Sequence, residues 1–159
     1  MGIETLFRKK PENAAKGLLG RKLVRTFQNK AIIEGRILEV SAWQGTSGDH
    51  IVYKFPDYPI GTLSVSCRYG KYLADITVGN GNSCITLVAA EIDLDGTKFK
   101  VQGPGNLSEA LRIEPDFDGY DIIKGKELRI IGQPVDKSLV RKRNLSNAPN
   151  NCVGFYYIR

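Results

Sequence analysis

Few side chains in this chain are equipped for chemistry, and their scarcity narrows the options. His50 is the only histidine, so a histidine metal site or a Ser-His-Asp triad with a spare base lacks material. The three cysteines, Cys67, Cys84 and Cys152, are odd in number and widely spaced. Zinc sites and redox motifs need close pairs, so these read as reduced, mostly core residues, and no metal or other cofactor is expected. Carboxylates are plentiful, 17 in all, and one of them, Glu39, lies two residues from a hydroxyl, Ser41. On a strand that spacing puts both on one face, a pleat apart, where the acid can point into a shared cavity. The other reading of Glu39 is a partner for a nearby Arg or Lys.

Charge points to the class of partner. The 159 residues carry 23 basic against 17 acidic side chains, a net charge of +6. That surplus favours polyanions through phosphate neutralisation and counterion release. It is clustered at Arg8-Lys9-Lys10, at Arg21-Lys22 with Arg25, and at Arg141-Lys142-Arg143, although any one such cluster also reads as a solvated face. No apolar run approaches the ~20 residues that span a bilayer, and the N-terminus lacks a signal-peptide pattern. The expectation is a cytoplasmic protein with no membrane contact.

The elements that position these residues are mostly strands. Pro11 to Leu19 reads as a short helix, with Pro in the first turn and Gly20 as the stop. Strands follow over Lys22 to Phe27, Ala31 to Trp43, Gly61 to Arg68, Lys71 to Gly79 and Ser83 to Glu91, joined by Tyr69-Gly70 and Gly79-Asn-Gly-Asn82 turns. Asn106 followed by Glu109 predicts a capped short helix through Ile113. Glu127 to Ile131, a segment around Val135 to Val140, and Cys152 to Ile158 read as closing strands, while Thr46 to Pro59 and Asn144 to Asn151 read as loops. The sum over residues 1–159 is one α+β domain, a curved, mainly antiparallel β-sheet with a few short helices.

Three segments, in order, carry a likeness: Gly35-Arg-Ile-Leu-Glu-Val-Ser-Ala-Trp-Gln-Gly45, Gly61-Thr-Leu-Ser-Val-Ser-Cys-Arg-Tyr-Gly-Lys-Tyr72 and Gly103-Pro-Gly-Asn-Leu-Ser-Glu-Ala-Leu-Arg-Ile113. With Ala14-Ala-Lys-Gly-Leu-Leu-Gly-Arg-Lys-Leu-Val-Arg25 before them, the chain resembles the alkyladenine (3-methyladenine) DNA glycosylase family from about Ala14 to Ile158. The resemblance implies that family's fold and its DNA-repair chemistry, hydrolysis of the glycosidic bond of damaged purines flipped out of duplex DNA. It places Trp43 at the base-stacking aromatic and Tyr69 at the wedge that fills the vacated space, with Arg68 and Lys71 beside it to hold phosphates. It sets His50 at the pocket histidine and, through a one-residue gap, Asp75 at the pocket asparagine. Read without the resemblance, Trp43 is a core tryptophan, Tyr69 a turn-flanking aromatic and His50 an exposed loop side chain.

The departures are as informative. Ser41 stands where the family carries its water-activating glutamate, Val88 where it has an arginine, and Ser66 where a tyrosine lines the pocket. Hydrolysis needs a carboxylate to activate water and to stabilise charge on the sugar, and a serine supplies neither without a base. The favoured expectation is therefore a glycosylase-like protein whose base-flipping pocket binds a purine base, nucleotide or nucleic acid without efficient excision, with nucleotide sequestration as one use. The alternative is an active, divergent purine DNA glycosylase using Glu39 or Asp75 on alkylated or deaminated purines. A third reading, a purely structural or protein-binding domain, needs the aromatics to serve packing alone.

Overall fold

The computed structural model describes residues 2–44, 58–79, 83–144, 146–147 and 151–159. Two short helices open the chain, α1 (Ile3–Phe7) and α2 (Pro11–Leu18). Pro11 sits in the first turn of α2, Glu12 near its N-terminus and Lys16 in its last turn, an order that suits the helix dipole. The helix ends where Leu19 turns extended, and Gly20 follows at φ 88°, a left-handed conformation that a side chain resists. Leu6 and Phe7 of α1 and Ala14, Ala15 and Leu18 of α2 are buried.

The rest is an open, curved antiparallel sheet. Its strands are β1 (Lys22–Thr26), β2 (Ile32–Gln44), β3 (Leu63–Arg68), β4 (Lys71–Val78), β5 (Ser83–Leu94), β6 (Thr97–Gln102), β7 (Leu128–Ile131), β8 (Arg141–Arg143) and β9 (Cys152–Tyr157). The main path runs β3-β4-β5-β2-β1-β7, with β6 added to β5 and the β8/β9 ribbon added to β2. The long β2 is the spine: one edge pairs with β5, and the other pairs first with β1 and then with β9. A helix, α3 (Pro104–Ala110), follows β6.

Alternation sorts the central strands into two faces. Val40 and Ala42 of β2, Ile85 and Leu87 of β5, Ala74 and Ile76 of β4 and Tyr156 of β9 join one buried apolar cluster with α1 and α2. Each large aliphatic in it contributes roughly 1.5–3 kcal/mol by leaving water. The intervening residues face the other way, and they make the site described below. Between Ile37 and Val40 the β2–β5 register shifts twice, so that Leu38 and Val88 drop out of the pairing.

Most expected elements form, with edges moved by one to three residues, and three expectations need correction. The helix after β6 begins at Pro104 behind Gly103, not at an Asn106 cap. Asn106 instead donates to the Gln102 carbonyl at 3.0 Å, because Gly103 at φ 101° turns the chain early. The segment around Val135 to Val140 is a 3-10 turn, Lys137–Leu139, and only Arg141–Arg143 is strand. Arg21 and Arg25 are buried rather than on a charged face. Arg21 donates to the carbonyls of Gly17 and Gly132, while Arg25 donates to Leu111 and lies over the rings of Phe27 and Phe117. Among the described residues, α1, β6 and a 3-10 turn, Pro115–Phe117, were not anticipated. The β6 face pattern is hidden by its lysines, Lys98 and Lys100, on an exposed edge.

Residues 45–57 lie outside the described residues, and with them His50 and most of the Thr46 to Pro59 loop. The same holds for Asn80 to Asn82 of the expected turn and for part of Asn144 to Asn151. No helix among the described residues is long and apolar enough to cross a membrane.

Candidate functional site

Opposite the helices, the sheet hollows into a pocket of about 170 Å3. Its wall is built from neighbouring strands in register. Ser41 of β2 is flanked by Thr86 of β5 and Phe155 of β9, Trp43 pairs with Cys84, and Asp75 of β4 sits across from Thr86. Leu73, Val88 and Ser66 continue the wall, and Pro104 closes it from the start of α3. The Gly103 amide donates to the Val88 carbonyl at 2.7 Å, which ties the helix entry to the bulged residue and holds Pro104 over the sheet.

Five of the expected pocket residues therefore converge: Ser41, Trp43, Ser66, Asp75 and Val88. Trp43 is half-buried, and its Nε1 donates to Ser41 Oγ at 2.9 Å. Its ring meets Phe155 edge-on, with centroids 6.4 Å apart and planes at 74°, a favourable quadrupolar arrangement. The indole is thus a pocket wall rather than a plug in the helix-side core. The hydroxyl of Ser41 is committed to orienting it.

The acid of the pocket is Asp75. Thr86 Oγ1 donates to its Oδ1 at 2.5 Å. The residue keeps some exposed surface through the pocket, yet the protein packed around it pushes the carboxyl up to about 6, against the pull of the Thr86 bond and the Arg68 charge. Burial, reinforced by Asp75, also pushes the Cys84 thiol up. Cys84 is accordingly a neutral wall and not a nucleophile near pH 7.

Glu39 shares the face of Ser41 but lies outside the pocket lining. Its carboxylate takes bonds from Arg143 Nε at 2.9 Å and Nη2 at 2.5 Å, and from Gln102 Nε2 at 3.4 Å. The partner role available to Glu39 is thus occupied. Arg143 also lies over the Phe155 ring, 4.9 Å from its centroid, so Glu39 steadies the pocket from behind through two intermediaries.

At the far end of β3 and β4, Tyr69 stands on a hairpin tip, fully exposed at 103%. Its φ of 50° and that of Gly70, 76°, are both left-handed, the signature of a tight hairpin turn. Arg68 is half-buried beside it. Lys71 is turned back onto α3, bonded to Asn106 Oδ1 at 2.6 Å and to Glu109 Oε2 at 2.8 Å, and this pairing lowers the Glu109 pKa.

Sequence reasoning missed Leu73, Cys84, Thr86, Pro104 and Phe155 as lining. The signal for three of them was present, because Cys84 and Thr86 alternate with the apolar Ile85 and Leu87, and Phe155 with Tyr156. A wider cleft of about 420 Å3 lies between the helices and residues 133–140, with Lys9, Lys16, Arg21 and Lys137 in its wall. Its described lining includes neither an aromatic nor a carboxyl. Among the described residues no group of three or more His, Cys, Asp or Glu is gathered in metal-ligand fashion.

No family model matches this chain, and no curated protein matches it.

Proposed function

We propose that the protein is an alkyladenine DNA glycosylase-like binding module whose sheet-face pocket takes a purine base, free in a nucleotide or flipped from nucleic acid, without efficient excision. The observation that carries this reading is the gathering of Trp43, Ser41, Ser66, Asp75 and Val88 around one cavity. A cavity of about 150 Å3 holds a benzene ring, so about 170 Å3 suits a single planar base, with sugar and phosphate outside. Trp43 and Phe155 supply aromatic surface, and stacking contributes roughly 1–3 kcal/mol per base. Excision is disfavoured by chemistry. Ser41 cannot activate water without a base, its hydroxyl already orients Trp43, and Glu39 is held by Arg143. The net charge of +6 favours the phosphates of either ligand source.

Calorimetric titration with purine nucleotides and with a short purine-rich single strand tests the reading on the parent chain and on Trp43→Ala. Binding that the substitution removes supports it. Binding that survives Trp43→Ala, or no binding by the parent, sinks it.

One observation favours a second reading, a divergent DNA-3-methyladenine glycosylase-type hydrolase. The Asp75 carboxyl, raised to about 6, is poised for proton transfer near neutral pH. That mechanism requires free base released from alkylated or hypoxanthine-containing duplex DNA, with release lost in Asp75→Asn or in Glu39→Gln. Should neither amide variant slow the release, the mechanism is wrong.

A further inference from the structure

The polar groups of the pocket have a definite donor and acceptor polarity. An ionised carboxylate only accepts. Thr86 gives its single hydroxyl hydrogen to Asp75 Oδ1, so toward the cavity its oxygen also has only lone pairs to offer. The two side chains sit on paired positions of β4 and β5 and line the same wall. Among the described residues no cationic side chain lines that wall. Together they form a patch with two acceptors and no donor, beside the aromatic surface of Trp43 and Phe155. Ser41, by contrast, accepts from Trp43 and keeps its own hydrogen to give.

A ring that enters this cavity is read by whichever edge meets the acceptor patch. Guanine presents two adjacent donors, its N1–H and its 2-amino group, and both would find an acceptor in bonds strengthened by the carboxylate charge. Adenine presents one donor next to the bare N1 lone pair, which would be set against the carboxylate. We propose that Asp75 and Thr86 make this pocket selective for guanine-type bases by accepting from the N1–H and 2-amino edge together. The proposal rests on the base-binding reading above and names the base.

Protonation is the natural control. Among the described residues, the titratable or charged groups acting on Asp75 are Cys84 from β5 and Arg68 from β3. The lining residues from β2, β9 and α3, which are Ser41, Trp43, Phe155 and Pro104, bring none. Burial holds Cys84 as a neutral thiol, so among these described residues Asp75 is the group that changes. Above its pKa of about 6 it accepts only. Below that value it carries a proton and can donate to an adenine N1, so discrimination weakens as pH falls.

The test uses the full chain and three probes, guanosine, inosine and adenosine 5′-monophosphate, read by quenching of Trp43, the only tryptophan. At about pH 7.5 the guanosine nucleotide should bind at least tenfold more tightly than the adenosine one, with inosine between them, because a site built for a hydrogen bond rejects the analogue that lacks it. The gap should narrow at about pH 5. Asp75→Asn should close it at neutral pH, since an amide can donate to adenine N1. Thr86→Val, which keeps the shape, should weaken guanosine more than adenosine. Equal affinities for the guanosine and adenosine probes, or a gap untouched by Asp75→Asn, overturn the selectivity and leave base binding standing. Quenching by none of the three overturns both.

Discussion

The two faces of the central strands carry opposite solutions to the same backbone. Toward α1 and α2, β2, β4, β5 and β9 present Val40, Ala42, Ala74, Ile76, Ile85, Leu87 and Tyr156, all buried and apolar. One residue along each strand, the other face presents Ser41, Trp43, Asp75, Cys84, Thr86 and Phe155 around a hollow. The first face fills its volume and so stabilises the domain. The second leaves volume empty and encloses a carboxyl, at a cost in stability. A sheet that tolerates such a face is one whose stability comes from the other, which frees the hollow side to hold chemistry.

Substitutions on each face sharpen that contrast. The largest effect is expected from Ile85→Ala, which should lower unfolding free energy in chemical denaturation by about 2–5 kcal/mol, with purine affinity retained in whatever fraction stays folded. One position along β5's partner strand the sign should reverse. The Asp75 carboxyl is raised from 3.8 to about 6, so the folded state binds the proton more tightly than the unfolded chain does. Stability therefore falls as pH rises through that window and stays lowered above it. Asp75→Asn should thus stabilise the protein at about pH 7.5 by up to about 2 kcal/mol, allowing for the exposure the residue keeps, and should change little near pH 4. A loss of stability at both pH values would break the contrast.

Glu39→Gln comes next. It removes the charge that holds Arg143, whose side chain is 42% exposed against 9% for Glu39, so about 1–2 kcal/mol is expected in the same denaturation assay. Trp43 quenching by purine nucleotides should persist, because Glu39 lies outside the lining. The smallest effect belongs to Tyr69→Ala, under about 0.5 kcal/mol, since the ring is fully exposed. Affinity for free nucleotides should be unchanged, and any fall should appear only with duplex DNA, measured side by side.

The strands were legible because alternation is a local signal, and Ser41, Trp43, Ser66, Asp75 and Val88, expected in one pocket from a resemblance, do line one cavity. Three things were not. The α3 start was misread because the Asn106 and Glu109 pattern imitates a cap, whereas Gly103 and Pro104 set the true entry by their backbone limits. The fate of Glu39 depended on Arg143, on a strand far away in sequence, and no spacing rule connects them. Arg21 and Arg25 counted as surface charge, yet their guanidinium groups satisfy carbonyls at strand and helix ends. A local backbone limit decided the first of these, and long-range partnership the other two.

The spine strand β2 has a kinetic consequence. One edge of its pocket half is completed by β9 (Cys152–Tyr157), from near the opposite end of the chain, and Ser41 meets Phe155 there. Contacts between such remote segments pay their loop-closure entropy late, so sheets built on them fold slowly. The apolar face can begin to assemble from α2, β1 and β2, which are neighbours in sequence. The hollow is incomplete until β9 docks, so, if the proposed base binding holds, ligand competence should lag behind secondary structure during refolding.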